Sequence, residues 1–124
     1  MKIAYIAGPY TSKSPHKVDH NILNARQVAI QLANHGVMYF CPHLNSAQFE
    51  RLCPKVPARF FHKGTLEMLK RCDFVICVPG WDCSTGAVNE VNYAQKNGMR
   101  VFRSIHEFLA SKFFKIGIMN DNGM

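Results

Sequence analysis

The segment Asp73 to Val78, DFVICV, sets five apolar residues in succession behind a single acid. A strand with one solvated face alternates apolar and polar residues, whereas one that is apolar at both parities needs cover on both faces. That is the environment of a central strand in a parallel sheet between two layers of helix. The rest of the chain supplies its partners. Ile3 to Ala7 (IAYIA), closed by Gly8-Pro9, reads as a second buried strand; Val37 to Cys41 (VMYFC), stopped by Pro42, is a third, and Arg100 to Phe102 a fourth.

Helical spacings lie between these runs. Asp19 or Asn21 is the expected cap of a helix striped by Ile22, Ala25, Ala29, Leu32 and Ala33 and ended at Asn34-His35-Gly36. Arg59 to Arg71 carries Leu66, Met68 and Leu69, Thr85 to Asn97 carries Ala87, Val91 and Ala94, and Ile105, Phe108, Leu109 and Phe113 stripe a last helix. Residues 44–57 hold one helical turn near Ala47 to Leu52. The ending KIGIMNDNGM reads as a short edge strand plus a tail. Strand–helix alternation of this kind predicts an α/β fold with a parallel sheet of four to five strands, in a single domain over residues 1–124.

Composition narrows the function. Hydrophobic content of 48% and charged content of 19% are those of a globular chain. No run approaches the ~20 apolar residues of a membrane span, and MKIAYIAG lacks the long apolar region of a signal peptide. The five cysteines are scattered without a C-x-x-C, so reduced thiols and a cytoplasmic location are expected. Cys41 and His43 alone are too few to suggest a metal. Lys and Arg outnumber Asp and Glu by 15 to 8, which favours anionic partners. The basic residues are dispersed, which argues for a phosphate-bearing small molecule and against nucleic acid.

In open parallel sheets the ligand sits at the carboxyl ends of the strands. Here those ends carry Gly8-Pro9-Tyr10, Cys41-Pro42-His43 and Pro79 to Ser84, all rich in Gly, Pro and polar residues. The dinucleotide motif G-x-G-x-x-G, the Walker pattern and the G-x-S-x-G elbow are absent. What remains is Ser84-Thr85-Gly86, a turn into a helix whose free amides and positive dipole end suit an anion such as phosphate. Glu90 follows four residues after Gly86. Placed in the first turn, it is expected to be held ionised by the dipole, a state that suits a nucleophile.

YIAGPY at the first strand, CPH after the second and CDFVICVPGWDCSTGAVNEVNYA together resemble the nucleoside 2-deoxyribosyltransferase superfamily. They are most similar to its small phage-type members and to the deoxynucleoside 5'-monophosphate N-glycosidases. The resemblance covers most of residues 1–103. It implies a flavodoxin-like, Rossmann-like three-layer sandwich, a homodimer or higher homo-oligomer, and no cofactor. It also implies N-glycosidic bond cleavage through a covalent glycosyl-enzyme on Glu90, resolved by water or by a second base. Under it, Tyr5 orients Glu90, Gly8 lets backbone approach the sugar or phosphate, and His43 matches a histidine of the monophosphate hydrolases. Ser84 stands where transferases of free nucleosides carry an aspartate for the 5'-hydroxyl and the hydrolases a serine for phosphate, so a 5'-monophosphate is implied.

Thr65 departs from the pattern, since the superfamily often has an aspartate there. Either Thr65 does a reduced job there, or Asp82 of the enlarged GWDC loop donates a proton to the leaving base; Trp81 is expected to stack on the base or to serve as a lid or interface residue. Other readings stand beside this one. Tyr5 inside an apolar strand fits a packed core tyrosine, and Asp73 fits a strand cap pairing with Arg71 or Lys70. A nucleotide sensor without turnover would tolerate Thr65, and a deoxyribosyltransferase on free nucleosides would share the fold. A phosphoribohydrolase of the lysine-decarboxylase-like type would need a double glycine that PGWDCSTGAVNE lacks.

Overall fold

The computed structural model describes residues 1–118. Four strands, β1 (Ile3–Ala7), β2 (Met38–Phe40), β3 (Phe74–Cys77) and β4 (Arg100–Phe102), form one all-parallel sheet in the order β2-β1-β3-β4. Helices α1 (Pro15–Asn34), α2 (Pro42–Asn45), α3 (Phe49–Leu52), α4 (Ala58–Lys70), α5 (Thr85–Lys96) and α6 (Ile105–Ala110) connect and cover it. The fold is the flavodoxin-like three-layer sandwich. Among the described residues no helix is long and apolar enough to cross a membrane.

Alternation along the strands assigns the layers. Ala4, Ile6, Phe74 and Ile76 face α1 and α6, packing on Ala25, Val28, Leu32, Ile105 and Phe108. Tyr5, Ala7, Val75 and Cys77 face the other way, onto Leu69 of α4 and Val91 and Ala94 of α5. Parallel crossovers are right-handed. From β1 the chain turns back to β2 over one face, and from β2 and β3 it advances over the other. β1 and β3 therefore flank the switch point where connections diverge.

The strongest packing is aromatic. Phe74 stacks on Phe108 at 5.2 Å and 18°, and Phe102 meets Phe108 edge-on at 5.2 Å. Phe113 closes on Phe74 at 5.1 Å, and the Arg100 guanidinium covers both Phe102 and Phe113. The Phe113-Phe114 pair thus belongs to the core, whereas Phe60 of the Phe60-Phe61 pair is exposed.

Several expected boundaries move. Helix α1 is capped by Ser14, whose hydroxyl accepts from the Lys17 amide with Pro15 at the first helical position; neither Asp19 nor Asn21 caps it. Asp19 instead accepts from Gln48 Nε2 at 2.8 Å, and Asn21 is buried. Ala33 and Met68 are exposed rather than in their helices' apolar stripes. The last helix stops at Ala110, because the Ser111 hydroxyl donates to Phe108 O at 2.6 Å and accepts from the Phe114 amide. Phe113–Ile118 then forms a π-helical turn where the sequence suggests an edge strand, and the tail expected beyond lies outside the described residues. Asp73 accepts from the Ile3 amide at 2.7 Å, so its partner is the neighbouring strand and not Arg71 or Lys70.

Phe74 is fully buried at the centre of the aromatic group. Phe74→Ala is expected to lower the unfolding free energy by roughly 3–5 kcal/mol, read by urea denaturation with an unchanged slope.

Candidate active site

At the carboxyl end of β1 the backbone passes so close to β3 that a side chain on Gly8 would not fit. A Cβ there would lie 2.6 Å from Val78 Cβ, inside a stiff branched side chain. Val78 extends the pairing by donating its amide to Ala7 O at 2.8 Å, after which the two loops part. A cavity of about 830 Å³ opens across this gap.

Glu90 lines this cavity, and Tyr5 lies behind it. Tyr5 is fully buried in β1 on the α5 side of the sheet. Glu90 shares a helical stripe with Ala87, Val91 and Ala94, the residues by which α5 packs on that sheet. The spacing turns the carboxylate inward, and Tyr5 Oη donates a hydrogen bond to Glu90 Oε2. Burial, and then the neighbouring Glu90, push the Tyr5 pKa far up. Thr65, from α4, donates its hydroxyl to His62 O within its own helix at 3.2 Å.

Burial, not the helix dipole, governs the charge on Glu90. Counted from Thr85 it lies in the second turn of α5, and no acid stands in the first. The dipole's influence fades beyond that turn. Desolvation raises the Glu90 pKa to about 7, with the hydrogen bond from Tyr5 pulling it down. The expected fully ionised glutamate is thus corrected to one that titrates near neutrality.

A second compartment of about 600 Å³ adjoins the first, and Thr11, Ser12, Ser84, Thr85 and Gly86 line both. Ser84 caps α5, its hydroxyl accepting from the Ala87 amide at 3.3 Å. The amides that follow have no intrahelical partner, and Thr85 and Gly86 are exposed. Lys17 lines the same compartment. Hydroxyls, amides and one ammonium gather here, groups of the kind that favour an anion.

The loop after β1 is tied down from three sides. His43 is buried, its Nε2–H donates to Pro9 O at 2.7 Å, and its Nδ1 lies 3.9 Å from Cys41 Sγ. Burial pushes the His43 pKa down, in keeping with the neutral ring. Asn21 donates to Tyr10 O at 3.1 Å, and the Tyr10 ring meets His43 edge-on at 5.6 Å. His43 and Tyr10 thus line the cavity while their polar atoms hold the loop.

Two residues expected at the site lie elsewhere. Asp82 is exposed on the 3-10 turn Trp81–Cys83 and lines neither compartment. Trp81 packs its ring against the cluster of Tyr5, Ala7 and Cys77 and is not presented to the cavity. The reason is local: Gly80 at φ 87 turns the chain left-handed, so the residues after it fold back on the sheet. Conversely, Thr11, Ser12 and Lys17 were not singled out by sequence, although the carboxyl-end rule applies to the whole loop after β1. Glu50, Phe49, Phe61 and Asn89 had no sequence signal beyond residue type.

The family model described as "Domain of unknown function (DUF4406)" matches residues 1–103. The chain belongs to that family. The DUF4406 match spans all four strands and both compartments' lining residues, and leaves out α6 and the π-helical turn. A search of curated proteins finds no match.

Because folding raises the Glu90 pKa above its ordinary value of 4.5, ionisation opposes the folded state as pH climbs towards about 7. Glu90→Gln is expected to be more stable than the parent at neutral and alkaline pH by on the order of 1 kcal/mol, after allowance for solvent screening. The difference should shrink in acid, and thermal unfolding of both proteins from pH 4 to 8.5 reads it.

Proposed function

We propose that the protein cleaves the N-glycosidic bond of a (deoxy)nucleoside 5'-monophosphate, with Glu90 as nucleophile and without a cofactor. The observation that carries this reading is the adjacency of an oriented carboxylate and an anion compartment: Tyr5 aims Glu90 into one cavity, and Ser84, Gly86 and Lys17 line the next. Phosphate held at the start of α5 brings the sugar of the same nucleotide towards the carboxylate. A Glu90 oxygen bonds to C1' as the C1'–N bond breaks, and its electron pair leaves with the base, which takes a proton from water. Water then attacks C1', the bond to Glu90 breaks, and a sugar 5-phosphate departs as the carboxylate is regenerated. A second base in place of water gives transfer instead of hydrolysis.

Burial supports the first step physically. It raises the free energy of the ionised carboxylate, and bond formation to C1' removes that charge. Asp82 has no part in the scheme, because it lies outside the cavity. The reading includes a homodimer or higher homo-oligomer, supported by the exposed apolar side chains Leu52, Phe60 and Met68 on α3 and α4. It is also the reading of a cytoplasmic protein, where a thiol such as the exposed Cys83 stays reduced.

The test is a panel of ribo- and deoxynucleosides and their 5'-monophosphates, assayed for free base. Base release from monophosphates, with little from nucleosides, is expected, and Glu90→Gln should lower it by roughly three orders of magnitude or more. kcat/KM should rise with pH up to about 7, where Glu90 ionises, and Tyr5→Phe should move that limb upward because it removes a hydrogen bond that lowers the Glu90 pKa. Tight nucleotide binding without base release would point to a sensor.

A further inference from the structure

Besides Glu90, a single acid lines the larger cavity, and the scheme above does not use it. Glu50 stands on α3, where both its carboxylate oxygens lie within reach of the Tyr10 hydroxyl, Oε2 at 2.9 Å and Oε1 at 3.1 Å. That hydroxyl in turn accepts from the Gln48 amide at 2.8 Å. Gln48 is the only non-glycine residue at positive φ among the described residues, at 65°, and its side chain is bound to Asp19. A residue at positive φ, held by Tyr10, Asp19 and the Arg51 guanidinium, therefore sets the start of α3 and the direction of the acid. Among the described residues Glu50 forms no ion pair, although the chain carries a net charge of +7. Its carboxylate is oriented by a neutral group and keeps lone pairs free for a ligand.

The surroundings suit a planar ring. Phe49 and Phe61 meet edge-on at 6.2 Å, and Val56 and Leu66 complete an apolar wall. With the strand order β2-β1-β3, α3 follows β2 and α5 follows β3, so the cavity runs from Glu50 across the end of β1 to Ser84. A nucleotide with its phosphate at Ser84 directs its base towards Glu50. We infer that Glu50 selects bases that carry an exocyclic amino group, an assignment that rests on the nucleotide reading above.

The chemistry is one of sign. An ionised carboxylate only accepts hydrogen bonds. At C4 of a pyrimidine or C6 of a purine, cytosine and adenine carry an amino group that donates to it, whereas uracil, thymine and hypoxanthine carry a carbonyl oxygen at that position, with their ring N–H on the neighbouring atom. There two sets of lone pairs face each other and both lose their water.

Matched pairs of equal size test this: deoxycytidine against deoxyuridine 5'-monophosphate, and deoxyadenosine against deoxyinosine 5'-monophosphate. Binding is measured by calorimetry on the Glu90→Gln protein, which removes turnover, and again with Glu50→Gln added. The amino partner of each pair should bind roughly tenfold tighter or more, the worth of one charge-assisted hydrogen bond. With Glu50→Gln the ratio should fall to about two- to threefold, because an amide both donates and accepts. Pairs bound alike, or a preference that survives Glu50→Gln, would overturn the assignment and leave the cleavage reading standing. Amino-selective binding in a protein that releases no base would uphold Glu50's role and overturn cleavage. Failure to bind any of the four would overturn both.

Discussion

A parallel connection can cross a sheet with only one hand, and the site follows from that constraint. The chain leaves β1 over the face covered by α1 and returns from β3 over the face covered by α5, so the two central strands send their loops apart. The gap lies where β1 and the continuation of β3 are closest, which is why a Cβ on Gly8 would collide with Val78. Two cavities open there, lined by loops that no local pairing would bring together. Tyr5 and Glu90, 85 residues apart, share a hydrogen bond because one sits on a central strand and the other on the helix laid over it.

Two opposing fields act on Glu90. The start of α5 favours negative charge, but its influence is spent on the amides of the exposed Thr85 and Gly86, a full turn earlier. Packing against the sheet removes water from the carboxylate, and that effect wins, leaving a group poised near neutrality. The division of labour is physically sensible. In the proposed reaction the helix terminus serves the substrate's phosphate, while the buried acid is reactive because its charge is costly to keep. Lys17 and Glu90 face adjoining compartments without neutralising each other.

Much of the fold was legible because each element repeats its own period. DFVICV, IAYIA and the Ala87-Val91-Ala94 stripe announce burial on both faces or on one. What was illegible depends on tertiary contacts or on a single backbone angle. Ser14-Pro15 is a helix start visible in the letters, yet it hides in a polar loop whose order comes from His43 and Asn21. The path of Trp81 and Asp82 turns on the φ of Gly80, and the break after Ala110 on one serine hydroxyl that serves two turns. At the site, Ser84 and Glu90 stand out by position. Glu50 does not, because nothing in FERL shows that a tyrosine 40 residues away will orient it. The protonation of Glu90 could not be read either, since spacing alone says little about solvent.

The central claim is that Glu90 becomes covalently bound to the sugar. Rapid quench of the protein with a deoxynucleoside 5'-monophosphate that yields base, followed by peptide mass spectrometry, tests it most directly. The account predicts a sugar-phosphate adduct on the peptide that contains Glu90, absent from Glu90→Gln. Base release with no adduct at any quench time, or an adduct on another residue, would contradict it.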